Sequence, residues 1–243
     1  MLSIPSVVER APGPQRAMVN NLWVEYPEHV DISLVCTFAP FVQWHQNINA
    51  GILAEGGVME KVIIRDVYMF GPRIGFLFMD VVLYMDGVKL PGAVVLRGKS
   101  VAVVLWFKNP SGFHVVLVRQ PRVATGRTTW EVPAGMADGN GTLQGQMFKE
   151  IREETGLAVN VNHLKHHGAS YTSCGLLDET LDLYSLRIDP EAVKMNVMPL
   201  GNRAEGEIIS TVEAVPLTDP RTLEDGKLRM ILSLMAYDLS VPA

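Results

Sequence analysis

GMADGNGTLQGQMFKEIREETGL, residues 135–157, is the stretch from which the rest of the chain can be read. Its second half, KEIREETGL, has helical spacing. At about 100° per residue, Glu150, Glu153 and Glu154 fall within roughly a 100° arc, and Met147, Phe148 and Ile151 occupy an adjacent apolar arc. Like charges at i, i+3 and i+4 cost an isolated helix about 0.2–0.5 kcal/mol per pair. Such crowding makes physical sense if a cation sits on it. Three carboxylates are hard oxygen donors, suited to Mg²⁺ or Mn²⁺ rather than zinc. On the helix alone, a solvated acidic face neutralised by Lys149 and Arg152 is the commoner arrangement. The flanks shift that balance. TTWEVPAG, before the helix, is strand-like; the residues after Gly135 are mostly small, polar or turn-forming; and Gly156 supplies the left-handed stop that ends many helices.

The same stretch resembles the signature of the Nudix hydrolases, G-x5-E-x7-R-E-U-x-E-E-x-G-U, where U is a bulky apolar residue. Gly135, Glu150, Ile151, Glu153, Glu154, Gly156 and Leu157 match at the required spacing. Gly141 stands where the signature has its first glutamate, and Lys149 where it has arginine. Lysine keeps the charge but lacks the planar fork that holds a carboxylate bidentately. The likeness extends over roughly residues 60–185. YMFGPRIGF and KLPGAVVLRGKSVAVVLWF look like the leading lobe of plant-type ADP-sugar pyrophosphatases, LVRQPRVATGRTTWEVPAGM like the strands entering the signature, and SCGLLDETLDLYSL like the loop after it.

Composition fits an enzyme of this kind. The chain has 243 residues, enough for one large domain or a core with an added lobe. A net charge of −5 argues against nonspecific nucleic-acid binding. Cys36 and Cys174 make neither a disulfide framework nor a zinc site, and free thiols suit a reducing interior, cytoplasmic or an organelle matrix. No apolar run approaches the ~18 residues that span a bilayer. Residues 1–24 carry Arg10 and Arg16 against Glu9 alone, as a targeting presequence would, but Pro5, Pro12 and Pro14 break up a helix there. A disordered or extended arm is the expectation.

The first half is rich in strand patterns. VDISLVC and KVIIRDVYMF read as strands, with a short helix and turn in WHQNINAGILAEG between them. GFLFMDVVLYMDGVKLPGAVVLRG reads as two strands around Met85-Asp86-Gly87, and VAVVLWFKNPSGFHVVLVRQ as a hairpin turning at Asn109-Pro110-Ser111-Gly112. After the acidic helix, HLKHHGASYTS, LDLYSLRID and VEAVPL are strand-like, and RTLEDGKLRMILSLMAYDL is helical. The expected fold class is α/β: an α/β/α sandwich with a mixed sheet over residues 98–243, preceded by an arm and small β-rich lobe over residues 1–97.

The resemblance implies Mg²⁺-dependent (or Mn²⁺-dependent) hydrolysis of the diphosphate bond of a nucleoside diphosphate sugar. An ADP-glucose or ADP-ribose type substrate would give AMP and a sugar phosphate. It implies Glu150 and Glu154 as metal ligands, Glu153 sharing or bridging, and the Ala134 carbonyl as a further ligand. Glu153 and Glu154 thereby take part in catalysis, and Glu179 matches the glutamate that approaches the attacking water, with Asp178 as the neighbouring alternative. Arg73 and Arg122 are candidate phosphate or ribose clamps, or else arginines anchoring turns beside proline. Trp130 and Phe70 could stack on the base or cap the core. The leading lobe implies a homodimer, with Arg73 reaching the neighbouring pocket. Two alternatives stand beside this reading: a catalytically weakened nucleotide-binding or regulatory module, and a pyrophosphatase for another nucleotide such as a dinucleotide. His163, His166 and His167 have poor zinc spacing and read as surface or edge residues.

Overall fold

A computed structural model of the chain describes residues 14–19, 22–137, 142–194 and 208–240. Gly141 and the first 13 residues lie outside them. Contacts divide the chain into two units. One runs up to Arg97 and takes in Ser173–Asp178; the other holds Gly98–Thr172 and the residues from Glu179 onward.

In the first unit, β1 (Gln15–Val19) and β2 (Leu22–Tyr26) form an antiparallel pair, so the chain is already extended and paired within the expected arm. Helices α1 (Ile32–Thr37) and α2 (Ala39–Ile48) follow, α2 continuing into a π-helical turn at Asn49–Leu53. The strand expected over VDISLVC is therefore helix α1. Its apolar alternation misleads, because only Val30 and Val35 are fully buried, and Asp31 caps the helix by accepting the Ser33 N–H at 2.9 Å. Two long strands, β3 (Val58–Phe70) and β4 (Arg73–Met85), then pair antiparallel. At the next turn Asp86 and Gly87 both adopt positive φ, 50° and 78°, the left-handed pair a tight hairpin requires. Two short strands follow it rather than one: β5 (Val88–Lys89) and β6 (Ala93–Leu96) each pair with β4. The core lies between α1–α2 and this sheet and includes Val35, Phe41, Val62, Ile64, Leu77 and Met79.

In the second unit, β7 (Lys99–Asn109) and β8 (Gly112–Arg122) make the expected hairpin, with Asn109 opposite Gly112. The run TTWEVPAG is two strands. β9 (Arg127–Glu131) pairs with β8, the chain breaks at Val132–Pro133, and β10 (Ala134–Met136) pairs with β7. Proline lacks the N–H a continuous ladder needs, so the switch of partner falls there. Helix α3 (Leu143–Thr155) carries the glutamates, β11 (Lys165–Tyr171) and β12 (Thr180–Arg187) form an edge pair, and β12 lies parallel to β7. Then come α4 (Pro190–Lys194), β13 (Thr211–Pro216) beside β8, and α5 (Gly226–Ser240). The mixed sheet runs β11-β12-β7-β8-β13. Alternation along β7 feeds two cores. Val101, Val103 and Leu105 pack with Met147 and Ile151 of α3, while Ala102 and Val104 pack with Leu228 and Ile231 of α5. This is an α/β/α sandwich. Among the described residues no helix is long and apolar enough to cross a membrane.

Candidate active site

The site grows from the two ends of α3. Thr142 caps its start, its hydroxyl oxygen accepting the Gly145 N–H at 3.1 Å. Gly156 stops it at φ 69°, donating its N–H to the Arg152 carbonyl. Met147 and Ile151 bury one stripe against β7, and that fixes the rotation of the helix. Glu150 and Glu154, four residues apart on the same flank, are thereby turned inward, 5% and 0% exposed, whereas Glu153 is half-buried. Lys149 lies 3.7 Å from Glu153 in an i,i+4 ion pair, so the residue that replaces the signature arginine engages the outermost of the three acids.

Strand β10 receives the two buried carboxylates. Glu154 Oε2 accepts the Ala134 N–H at 3.1 Å. A methyl group at Gly135 would overlap the Glu150 carboxyl group, so only glycine lets that carboxylate reach the strand. Gln146 Nε2 donates to Glu150 Oε1 at 2.5 Å. The ladder fixes the direction of the neighbouring carbonyl. Val103 N–H donates to Pro133 O and Ala137 N–H to Lys99 O, at alternate positions along the strand. Ala134 falls between them, so its N–H and C=O both face away from β7, toward Glu154. The Glu154 carboxylate and the Ala134 carbonyl thus share one edge, and the Glu150 carboxyl group lies over the adjacent Gly135.

Glu179 opens onto β12, 8% exposed. The Thr172 hydroxyl donates to its Oε2 at 2.7 Å, and the Ser100 hydroxyl donates to its Oε1. Sequence reasoning missed both hydroxyls, along with Gln146; only Gln146, four residues before Glu150, had a local signal. Among the described residues, no three His, Cys, Asp or Glu side chains gather into a ready-made metal-binding group. Glu153, one of the expected ligands, is half-buried and pairs with Lys149.

Arg122 forks onto Glu131, Nε to Oε1 at 2.8 Å and Nη2 to Oε2 at 2.9 Å. Burial alone would raise the Glu131 carboxyl, but the Arg122 hydrogen bonds and the Lys227 charge overcome it and hold its pKa at about 2. Trp130 packs on the α5-side core and carries the Arg221 guanidinium 4.8 Å from its ring centroid, with Arg119 at 5.9 Å. A base stacking there would compete with these cations. In the first unit, Phe70 and Arg73 face one another across the Gly71–Pro72 turn. Arg73 is exposed, and Phe70 packs edge-on to Tyr68 and Phe76, each at 5.6 Å. His166 and His167 sit on edge strand β11, bonded to Asp182 at 2.8 Å and Ser185 at 2.7 Å.

The donor set fits a hard divalent cation. Two carboxylates withdrawn from water on one helix flank are costly unless something positive compensates them, and both lie against the Ala134–Gly135 backbone. The NUDIX domain model matches residues 97–234. Over 229 residues the chain is 31% identical to Nudix hydrolase 14, chloroplastic, of Arabidopsis thaliana, a match covering 86% of this chain and 72% of the plant protein. It is 23% identical over 144 residues to nudix hydrolase 2 of Caenorhabditis elegans, covering 58% of this chain and 64% of that one. In fold it is similar to a solved structure described as an ADP compounds hydrolase, with a TM-score of 0.55, 17% identity, and coverage of 75% of this chain and 94% of that one. The family as a whole works with divalent metal ions. The domain match spans more than half the chain, and the chain belongs to the Nudix hydrolase family.

Proposed function

We propose that this hydrolase cleaves the diphosphate bond of a nucleoside diphosphate sugar, of the ADP-glucose or ADP-ribose type, in a Mg²⁺-dependent reaction giving AMP and a sugar phosphate. The observation that carries the reading is the burial of Glu150 and Glu154 against the Ala134–Gly135 backbone. Glu150, Glu154 and the Ala134 carbonyl would hold the metal, with Glu153 joining on release from Lys149. Mn²⁺ has the same preference for oxygen donors. The bound ion supplies charge neutralisation of the diphosphate and a more acidic attacking water. In the hydrolysis, the water oxygen bonds to one phosphorus, the bridging oxygen departs with the other phosphate, and the water proton passes to a carboxylate. Glu179 is the proposed acceptor of that proton, with Ser100 and Thr172 orienting it.

Arg122 is proposed as a phosphate contact, its guanidinium pre-oriented by the Glu131 fork. Arg73, Phe70 and Trp130 are proposed as further substrate contacts, and a homodimer as the working form. The first experiment is a panel of nucleotide sugars and dinucleotides with Mg²⁺ and Mn²⁺, scored for AMP. AMP from ADP-ribose or ADP-glucose supports the assignment. AMP from dinucleotides alone transfers it to that substrate class. Nucleotide binding without turnover favours a regulatory module, for which the Lys149–Glu153 pair is the structural argument.

A further inference from the structure

The segment that delivers Ala134 and Gly135 to the carboxylates is held along one edge in an unusual way. Three alternate backbone N–H groups donate to side-chain carboxylates rather than to a strand. Trp130 N–H donates to Glu224 Oε2 at 3.2 Å, Val132 N–H to Asp225 Oδ2 at 2.8 Å, and Ala134 N–H to Glu154 Oε2 at 3.1 Å. The middle bond falls where the chain leaves β8 for β7, at Val132–Pro133: Pro133 O accepts the Val103 N–H of β7, but the Val132 N–H has Asp225 as its partner rather than either strand. Asp225 is 4% exposed, and its second oxygen caps α5 by accepting the Lys227 N–H at 2.8 Å. One buried carboxylate therefore ties the start of α5 to the peptide two residues ahead of Ala134.

We infer that Asp225 is a positioning residue for the active site: by fixing the Val132 N–H it sets where the Ala134 carbonyl stands beside Glu154. The inference rests on the proposed metal-holding role of that edge. Lys227 supplies a control in the same cluster. Its Nζ lies 2.8 Å from Glu131 Oε2 and 3.3 Å from Asp225 Oδ1, and it makes no bond to the 132–134 backbone. Both residues contribute to stability, but only Asp225 touches the segment that carries the carbonyl. Groups that orient metal ligands typically change metal affinity or activity by roughly 10- to 100-fold when replaced.

The test compares Asp225→Asn and Lys227→Met in the full chain, with two readouts taken side by side: Mn²⁺ affinity by electron paramagnetic resonance without substrate, and thermal unfolding. The expected result is Mn²⁺ binding weakened about 10-fold or more in Asp225→Asn, and unchanged in Lys227→Met although its melting temperature falls. Equal Mn²⁺ affinity in Asp225→Asn and the wild type overturns the inference, as does a loss shared equally by both variants in step with melting. Should Asp225→Asn fail to fold, Asp225→Glu replaces it. That variant keeps the charge but displaces both oxygens by one methylene, and wild-type Mn²⁺ affinity in it overturns the inference. Because Mn²⁺ binding is read without substrate, a wrong substrate assignment leaves this result intact. Absence of any Mn²⁺ binding by the wild type contradicts the metal-holding role itself, and the inference with it.

Discussion

Glu150 and Glu154 share a flank of α3 and a strand partner, and the smallest residue in the chain makes that possible. At Gly135 a single added methyl group would occupy the space of the Glu150 carboxyl group. Gly135→Ala is therefore expected to fold, with a modest loss of stability, and to lose most Mg²⁺-dependent turnover; wild-type turnover in this variant would show that Glu150 need not approach the strand. Glu179 presents a different test. Its carboxylate accepts from two hydroxyls and is mostly withdrawn from solvent. As the proton acceptor, Glu179→Gln should lower kcat by about 10²–10⁴-fold and leave KM within a few-fold. A proportionate change in both would point instead to a substrate-binding role. At this scale the sequence was readable where chemistry and spacing coincide, as in the two buried glutamates and Gly156. It was unreadable where an inward or outward turn depends on packing. Glu153 looks equivalent to its neighbours in the sequence, yet the rotation imposed by Met147 and Ile151 leaves it half-buried while Glu150 and Glu154 turn inward.

Among the elements, α3 is punctuated by its own sequence, and that makes it the most legible part of the fold. Gly156 sits at φ 69°, where a side chain costs about 1–2 kcal/mol. Gly156→Ala should lower the free energy of unfolding by about that amount in chemical denaturation, with the metal requirement of turnover unchanged. An unaltered midpoint would mean that the helix end relaxes without strain. Helix α1 shows the opposite case. Val30, Ile32, Leu34 and Cys36 alternate as a strand would, but the Asp31 cap and the inward Val35 make a short helix. Tertiary burial outweighed local alternation there. The break inside TTWEVPAG is likewise a consequence of partners far away in sequence, since β9 needs β8 and β10 needs β7. Asp225 belongs to the same class: the carboxylate reaches a peptide 93 residues away, and only its capping position before an apolar helix was visible locally.

For the molecule as a whole, the buried charges around Glu131 set how stability responds to acid. This carboxylate titrates at about 2 in the folded chain against an ordinary value of 4.5. A depressed folded value means that its contribution is fully present above about pH 4.5 and is lost as pH falls toward about 2. The contribution is on the order of 3 kcal/mol, since each tenfold fall in proton affinity on folding corresponds to about 1.4 kcal/mol. Lys227, which burial would lower but Asp225 and Glu131 raise, adds stability that is kept until strongly alkaline pH. Urea unfolding between pH 2 and 6 should therefore show a steep acid limb that becomes shallower in Glu131→Gln, and an identical limb in the variant would remove Glu131 from the account. At this scale the sandwich and the leading β-rich unit were legible from alternation and the signature motif. The assignment of Ser173–Asp178 to the leading unit was not, because it depends on the bridge between Val95 and Leu177. The central claim is that two buried glutamates hold a divalent ion for diphosphate hydrolysis, and Glu154→Gln tests it by removing one charge at nearly constant volume. With ADP-ribose or ADP-glucose and saturating Mg²⁺, the wild type should release AMP and the variant should be slower by on the order of 100-fold or more. Equal AMP release by the two proteins would contradict the account.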